Sequence, residues 1–194
     1  MKSAFHQRAA DLADTLGMDA LSDPDRYPAE FPAITLLRSR EPGFISRLIR
    51  RIPPQMEIAF TSGCAELANN AVEFIAVTSG SDEVDSQQCL RVVEEFAQYS
   101  MNTDVSFDVG HTADLVEVLG RDFPARYFLL LPPPDSSTDK LFLKCLAPAA
   151  TILSILPISS AEYRMIRERG LGDAIDEFER HDRSMTFTWP APEI

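Results

Sequence analysis

The side chains best suited to chemistry in this chain are few. Histidine occurs at His6, His111 and His181 only, and no two stand at a spacing that could hold a metal ion. His111 is the one with neighbours of interest, because Asp108 and Asp114 lie within three residues of it. That grouping could serve as a general base or as a contact for a partner. Glu73 is the single charge in the apolar run Val72–Thr78. Of the familiar catalytic patterns none is present. Ser62 and Ser79 lack the Gly-x-Ser-x-Gly elbow, and no phosphate-cradling Gly-x-x-x-x-Gly-Lys occurs. Gly170 and Gly172 lack the third glycine of a dinucleotide site. Cys64, Cys89 and Cys145 are odd in number, form no Cys-x-x-Cys, and sit among apolar neighbours, as buried thiols of a reducing compartment do. The expectation is a protein with no cofactor, no metal and no catalytic residue; the alternative is an enzyme with a site around His111, Asp108 or Glu73.

Charge narrows the partners. Eighteen basic residues against thirty acidic ones leave a formal charge of −12, the reverse of what phosphate binding needs, so nucleic acid is not expected. An acidic surface steers a basic protein instead. Against that background Arg38, Arg40, Arg47, Arg50 and Arg51 crowd into one short basic stretch, read as the charged flank of a short apolar helix or as an interface. The acids Asp173, Asp176, Glu177 and Glu179 read as a solvated helix face.

The elements that must position these residues follow from periodicity. At 194 residues one domain spanning 1–194 is expected. Phe5, Ala9, Leu12 and Leu16 predict an amphipathic helix ending at Gly17. Residues 21–33, with Pro24, Pro28 and Pro32, predict an irregular connection; 34–37 a strand; 43–52 a short helix. Alternation over 56–60 predicts a half-buried strand, and 72–78 a more central one. A helix over 85–99 precedes a strand at Val105 and Phe107 that leads into Gly110-His111-Thr112. Residues 127–131, 141–146 and 151–158 predict three more strands. Ser159 and Glu162 form a capping box for a helix stopping at Gly170, and a second helix turns Leu171, Ala174, Ile175 and Phe178 inward. Residues 185–189 predict a last strand, with Trp189 pinning the tail. Strands before helices give an α/β (α+β-like) fold with one mixed sheet. No run approaches the length of a membrane span, and Asp11 and Asp14 argue against a leader, so a cytoplasmic protein without membrane contact is expected.

Several motifs, in order, resemble the suppressor-of-fused family. Thr61-Ser62-Gly63 ends one strand and Glu73-Phe74 lies in the next; Phe96-Ala97-Gln98-Tyr99 ends a helix. Gly110-His111-Thr112, Leu129-Leu130-Leu131-Pro132, Ile155-Leu156-Pro157-Ile158, Gly170, Phe178 and Asp182-Arg183 follow. The resemblance covers about residues 55–190. Asp85-Ser86 stands where the family has Trp-Pro, and the Asp between Gly and His is missing. The resemblance implies a mixed-sheet domain without cofactor or known catalytic residues. Its animal member sequesters a transcription factor whose peptide adds a strand between two halves, and short bacterial relatives are regarded as immunity proteins that neutralise toxins. It places Tyr99, Gly110, His111 and Thr112 at the partner-facing edge. The expected function is non-catalytic binding of a protein, possibly basic and possibly a toxin; a self-associating module is the remaining alternative.

Overall fold

A computed structural model describes residues 4–16, 18–20, 31–39, 57–67, 71–78, 83–133, 150–185, 187 and 189. In chain order these form α1 (Ala4–Leu16), β1 (Met18–Ala20), β2 (Ala33–Ser39), β3 (Glu57–Ser62), α2 (Cys64–Leu67), β4 (Val72–Thr78) and α3 (Glu83–Asn102). There follow β5 (Thr112–Asp114), α4 (Val116–Leu119), β6 (Tyr127–Leu131), β7 (Thr151–Ile158), α5 (Ser160–Arg169) and α6 (Leu171–Arg180). The strands make one mixed sheet in the order β1-β2-β3-β4-β7-β6-β5. Its β4–β7 pair is parallel and every other pair antiparallel.

Helices cover both faces. On one side α3 lays Cys89, Val92, Val93, Phe96 and Ala97 over Leu36, Ala59, Phe74, Ala76, Phe128, Leu130 and Leu153. On the other, α1 covers the β1–β4 end through Ala9, Leu12 and Ala13. There α5 and α6 cover the β6–β7 end through Ile166, Ala174 and Phe178. The predicted half-buried β3 is therefore buried along its whole length, because α1 covers Ile58 and Phe60 while α3 closes the face of Glu57 and Ala59 that alternation assigns to solvent. Glu57, drawn inside by this, pairs with Arg38 opposite it on β2 and accepts from the Ser86 hydroxyl on α3. Ser86 belongs to the Asp85-Ser86 pair that departs from the family pattern, and its hydroxyl meets the buried carboxylate.

The strand expected at Val105 and Phe107 is not formed. Residues 104–108 run without a ladder, since Phe107 turns into the core to meet Phe74 edge-on at 5.3 Å and Phe96 at 5.9 Å. Pairing with β6 begins only after the turn, and the edge strand is Thr112–Asp114. The predicted irregular stretch also ends early: Ala33 already belongs to β2. In the tail, Met185, Phe187 and Trp189 are not in a strand. The Phe187 N–H nevertheless donates to Val77 C=O at 2.6 Å, and Trp189 packs on Phe123 and Phe187. The capping box stands as read, Glu162 N–H donating to Ser159 Oγ at 3.1 Å and Ser159 N–H to Glu162 Oε2 at 2.6 Å. The expectations for 43–52 and 141–146, and for Arg40 to Arg51, lie outside the described residues. Among the described residues no helix is long and apolar enough to cross a membrane, and no cluster of His, Cys, Asp and Glu could hold a metal ion.

Candidate functional site

Gly110-His111-Thr112 forms the turn into the edge strand. His111 N–H donates to Asp108 C=O at 3.2 Å, and Gly110, third in the turn, has φ of +87°. That sign at that position is what a type II turn demands, and a Cβ there would also meet Leu171 at 3.0 Å. The His111 ring serves its own turn, Nδ1 accepting from the Asp108 N–H at 3.2 Å. Beyond the turn Gly110 N–H donates to Leu130 C=O, Leu130 N–H to His111 C=O, and Leu115 N–H to Arg126 C=O. With Ala113 opposite Phe128, residues 111, 113 and 115 face β6. By the alternation of antiparallel ladders, the amides of Thr112 and Asp114 face away from the sheet.

That outward edge borders two troughs. The first, about 570 Å³, is lined by Phe96, Tyr99 and Phe107 on one flank and by Ile166, Arg167 and Leu171 on the other. His111, Thr112 and Asp114 line it between them. The second, about 490 Å³, includes Glu95, Gln98, Asn102, Glu117, Val118 and Arg126, and shares Tyr99, Asp114 and Leu115 with the first. All four residues picked from sequence, Tyr99, Gly110, His111 and Thr112, line the first trough together. Tyr99 stands at the surface end of an aromatic chain, its ring 5.9 Å from Phe107 and 47% exposed. Four of the five large apolar side chains most exposed among the described residues gather at this edge or its turn: Tyr99, Val105, Val109 and Val118. The sequence reads Val105 and Leu171 only as strand and core residues, and it picks out none of the three valines, nor Arg167, Leu171, Glu95 and Glu117, as site residues. They come from α3, α4, α5, α6 and the loop, and no local pattern joins them.

Electrostatics divide the candidates. Arg126 grips Asp114 through Nε at 2.9 Å and Nη2 at 2.5 Å, and these bonds hold the Asp114 carboxyl below its ordinary range. A carboxylate so held is a weak proton acceptor. Glu95, in the second trough, is pushed up by burial, against the pull of Arg91. Glu73 is elsewhere. It lies on β4, three strands from β5, or about 14 Å at ~4.8 Å per strand. There its oxygens accept from Thr61 Oγ1 at 2.5 Å and from the N–H groups of Gly63, Ala65 and Cys64 at 2.9, 3.1 and 3.3 Å. Thr61 Oγ1 in turn accepts from Phe74 N–H at 2.9 Å. Burial pushes the Glu73 carboxyl up, and these donors pull it back. The structure thus does not bring Glu73 together with His111 in one pocket.

Neither a protein-family model nor a curated protein matches the sequence. Among solved structures, one from Neisseria gonorrhoeae assigned as a homolog of the suppressor of fused protein superposes with a TM-score of 0.60 at 11% identity. The match covers 97% of this chain and 96% of that one. The chain has a suppressor-of-fused-like fold. The match thus extends beyond the stretch of about residues 55–190 that carries the motif resemblance. Within the suppressor-of-fused-like sheet, the strand reached through Gly110-His111-Thr112 is one of the two terminal ones among the described residues, β1 being the other.

Proposed function

We propose that this protein binds another protein, without catalysis, by accepting an extended segment along the outer edge of β5. The observation that carries the reading is the coincidence of a strand edge unpaired among the described residues with exposed Tyr99, Val105, Val109 and Val118. An exposed edge with apolar neighbours is normally a liability that proteins cover or charge, so leaving it open is informative. Backbone bonds to the outward amides of Thr112 and Asp114 would give affinity, and the troughs would take alternate side chains. The chain's charge of −12 favours a basic partner and fast, salt-sensitive encounter. In the toxin-neutralising form of this reading, that partner is a toxin which the bound chain keeps from its target.

Thr112→Pro is the sharpest test. It removes one outward N–H while leaving the bonds to β6 in place, and proline is tolerated on edge strands. Affinity capture from native lysate should retain one protein at low salt and release it at high salt. The Thr112→Pro chain, with nearly unchanged Tm, should fail to retain it. Capture that is indifferent to Thr112→Pro would overturn the reading.

A further inference from the structure

We propose that β5 selects a strand of polarised charge, with an acidic group at its His111 end and a lysine or arginine at its Val116 end. This deepens the strand-accepting reading above and rests on it. The two troughs lie in sequence along the edge, joined at Tyr99, Asp114 and Leu115. Their charges differ. Asp114, in the shared stretch, and Arg126, which lines only the second trough, are spent on each other. What remains in the first trough is Arg167, on the last turn of α5, with the imidazole of His111 beside the strand. What remains in the second is Glu95 and Glu117, accompanied by the neutral amides of Gln98 and Asn102. Arg167 and Glu117 are exposed, so each can reach toward a ligand.

Glu95 supplies a further reason. It is half-buried and lines the second trough beside Glu117; burial pushes it up, Arg91 pulls it back in part and Glu94 adds to the rise, so a further cation arriving in that trough would relieve it. The distance is suitable. The extended stretch, residues 111–114, covers about 10 Å at ~3.3 Å per residue, so the two charges of the ligand would stand about three residues apart. The overall acidity of the chain governs the rate of encounter; the local pair of opposite charges governs register and choice of ligand.

The test uses the full chain at physiological salt and three labelled peptides with the same alternating Val-Thr centre. One carries Asp at one end and Lys at the other, one Lys at both, and one Asp at both. A strand can enter from either end, so only the arrangement of charge is compared. Fluorescence polarisation should rank the polarised peptide about threefold to fivefold tighter than either of the others. Arg167→Glu should move the preference to the double-Lys peptide, and Glu117→Lys should move it toward the double-Asp peptide. An unchanged ranking in Arg167→Glu, or a double-Lys peptide that binds the wild type as well as the polarised one, would overturn the polarity. If Thr112→Pro still weakened that binding, the edge reading would stand without it. Absence of binding by all three peptides, or binding indifferent to Thr112→Pro, would overturn both.

Discussion

Two glycine-bearing turns of this protein, Thr61-Ser62-Gly63 and Gly110-His111-Thr112, have similar composition and opposite circumstances. Both glycines adopt positive φ, +97° at Gly63 and +87° at Gly110. In the first turn the backbone amides that follow converge on one internal acceptor, the Glu73 carboxylate, and the ring of Phe5 lies on the glycine. In the second, the bonds run to the neighbouring strand on one side and leave amides free on the other, beside exposed apolar side chains. The difference teaches where to look for function. A turn whose backbone amides converge on an acceptor inside the protein is holding the fold together; one that ends on unmatched backbone donors next to exposed hydrophobes has something to offer a partner.

Gly63→Ala should break the first turn most severely. Its Cβ would fall 2.4–2.7 Å from three ring carbons of Phe5, and the +97° backbone adds its own strain. Phe5 is held by α1, which also covers β1–β4, so relief means displacing that helix. We expect a loss of about 2–4 kcal/mol, read by chemical denaturation. A loss below about 1 kcal/mol would mean that α1 adjusts freely and that the turn is not a point of close packing.

Glu73→Gln tests the acceptor itself. The amide can keep one oxygen for Gly63 and Ala65, but its NH2 group faces the Cys64 N–H, which loses its acceptor. About 1–2 kcal/mol should be lost at acid pH, where the native carboxyl is protonated. The sign of the pH dependence follows from burial. The folded carboxyl holds its proton more tightly than the unfolded one, so its contribution is full below the ordinary carboxylate range and declines as pH rises through the raised pKa. The gap between wild type and Glu73→Gln should therefore narrow with rising pH. Asp114, held low by Arg126, acts in the opposite direction, contributing stability that is lost as pH falls. Parallel denaturation curves across pH for wild type and Glu73→Gln would show that Glu73 is not titrating inside the fold.

The contrast between the turns is also a measure of what sequence can tell. The strand at 72–78, the capping box at Ser159 and Glu162, and the α6 stripe were legible because each is a local pattern with a single physical cause. The full burial of β3 was not, since it depends on α3 closing the face of Glu57 and Ala59 from about thirty residues further along the chain. Phe107 looked like a strand residue because it alternates with Val105, yet its ring had a better place among Phe74, Phe96 and Tyr99 than any ladder could offer. The four residues chosen for the site came from resemblance, and they do line one trough. The charges that would give the edge its preference, Arg167 in the first trough against Glu95 and Glu117 in the second, are set by how three helices meet the edge, which no spacing encodes.

Tyr99→Ala is the smallest change to the fold and the most direct comparison of the two turns. Tyr99 is 47% exposed and makes one edge-on contact with Phe107, so its removal takes away little buried area. We expect a stability loss of about 0.5–1 kcal/mol, far below that of Gly63→Ala. Binding should suffer more, because Tyr99 borders both troughs and offers a rigid apolar face with one hydroxyl to an arriving strand. About a tenfold fall in affinity for the polarised peptide, with Tm nearly unchanged, is the expected result, since a central aromatic anchor is commonly worth more than ~1 kcal/mol. Were Tyr99→Ala instead to cost as much stability as Gly63→Ala and leave binding intact, the aromatic chain from Phe74 to Tyr99 would be structural to its end. The second turn would then differ from the first only in being nearer the surface.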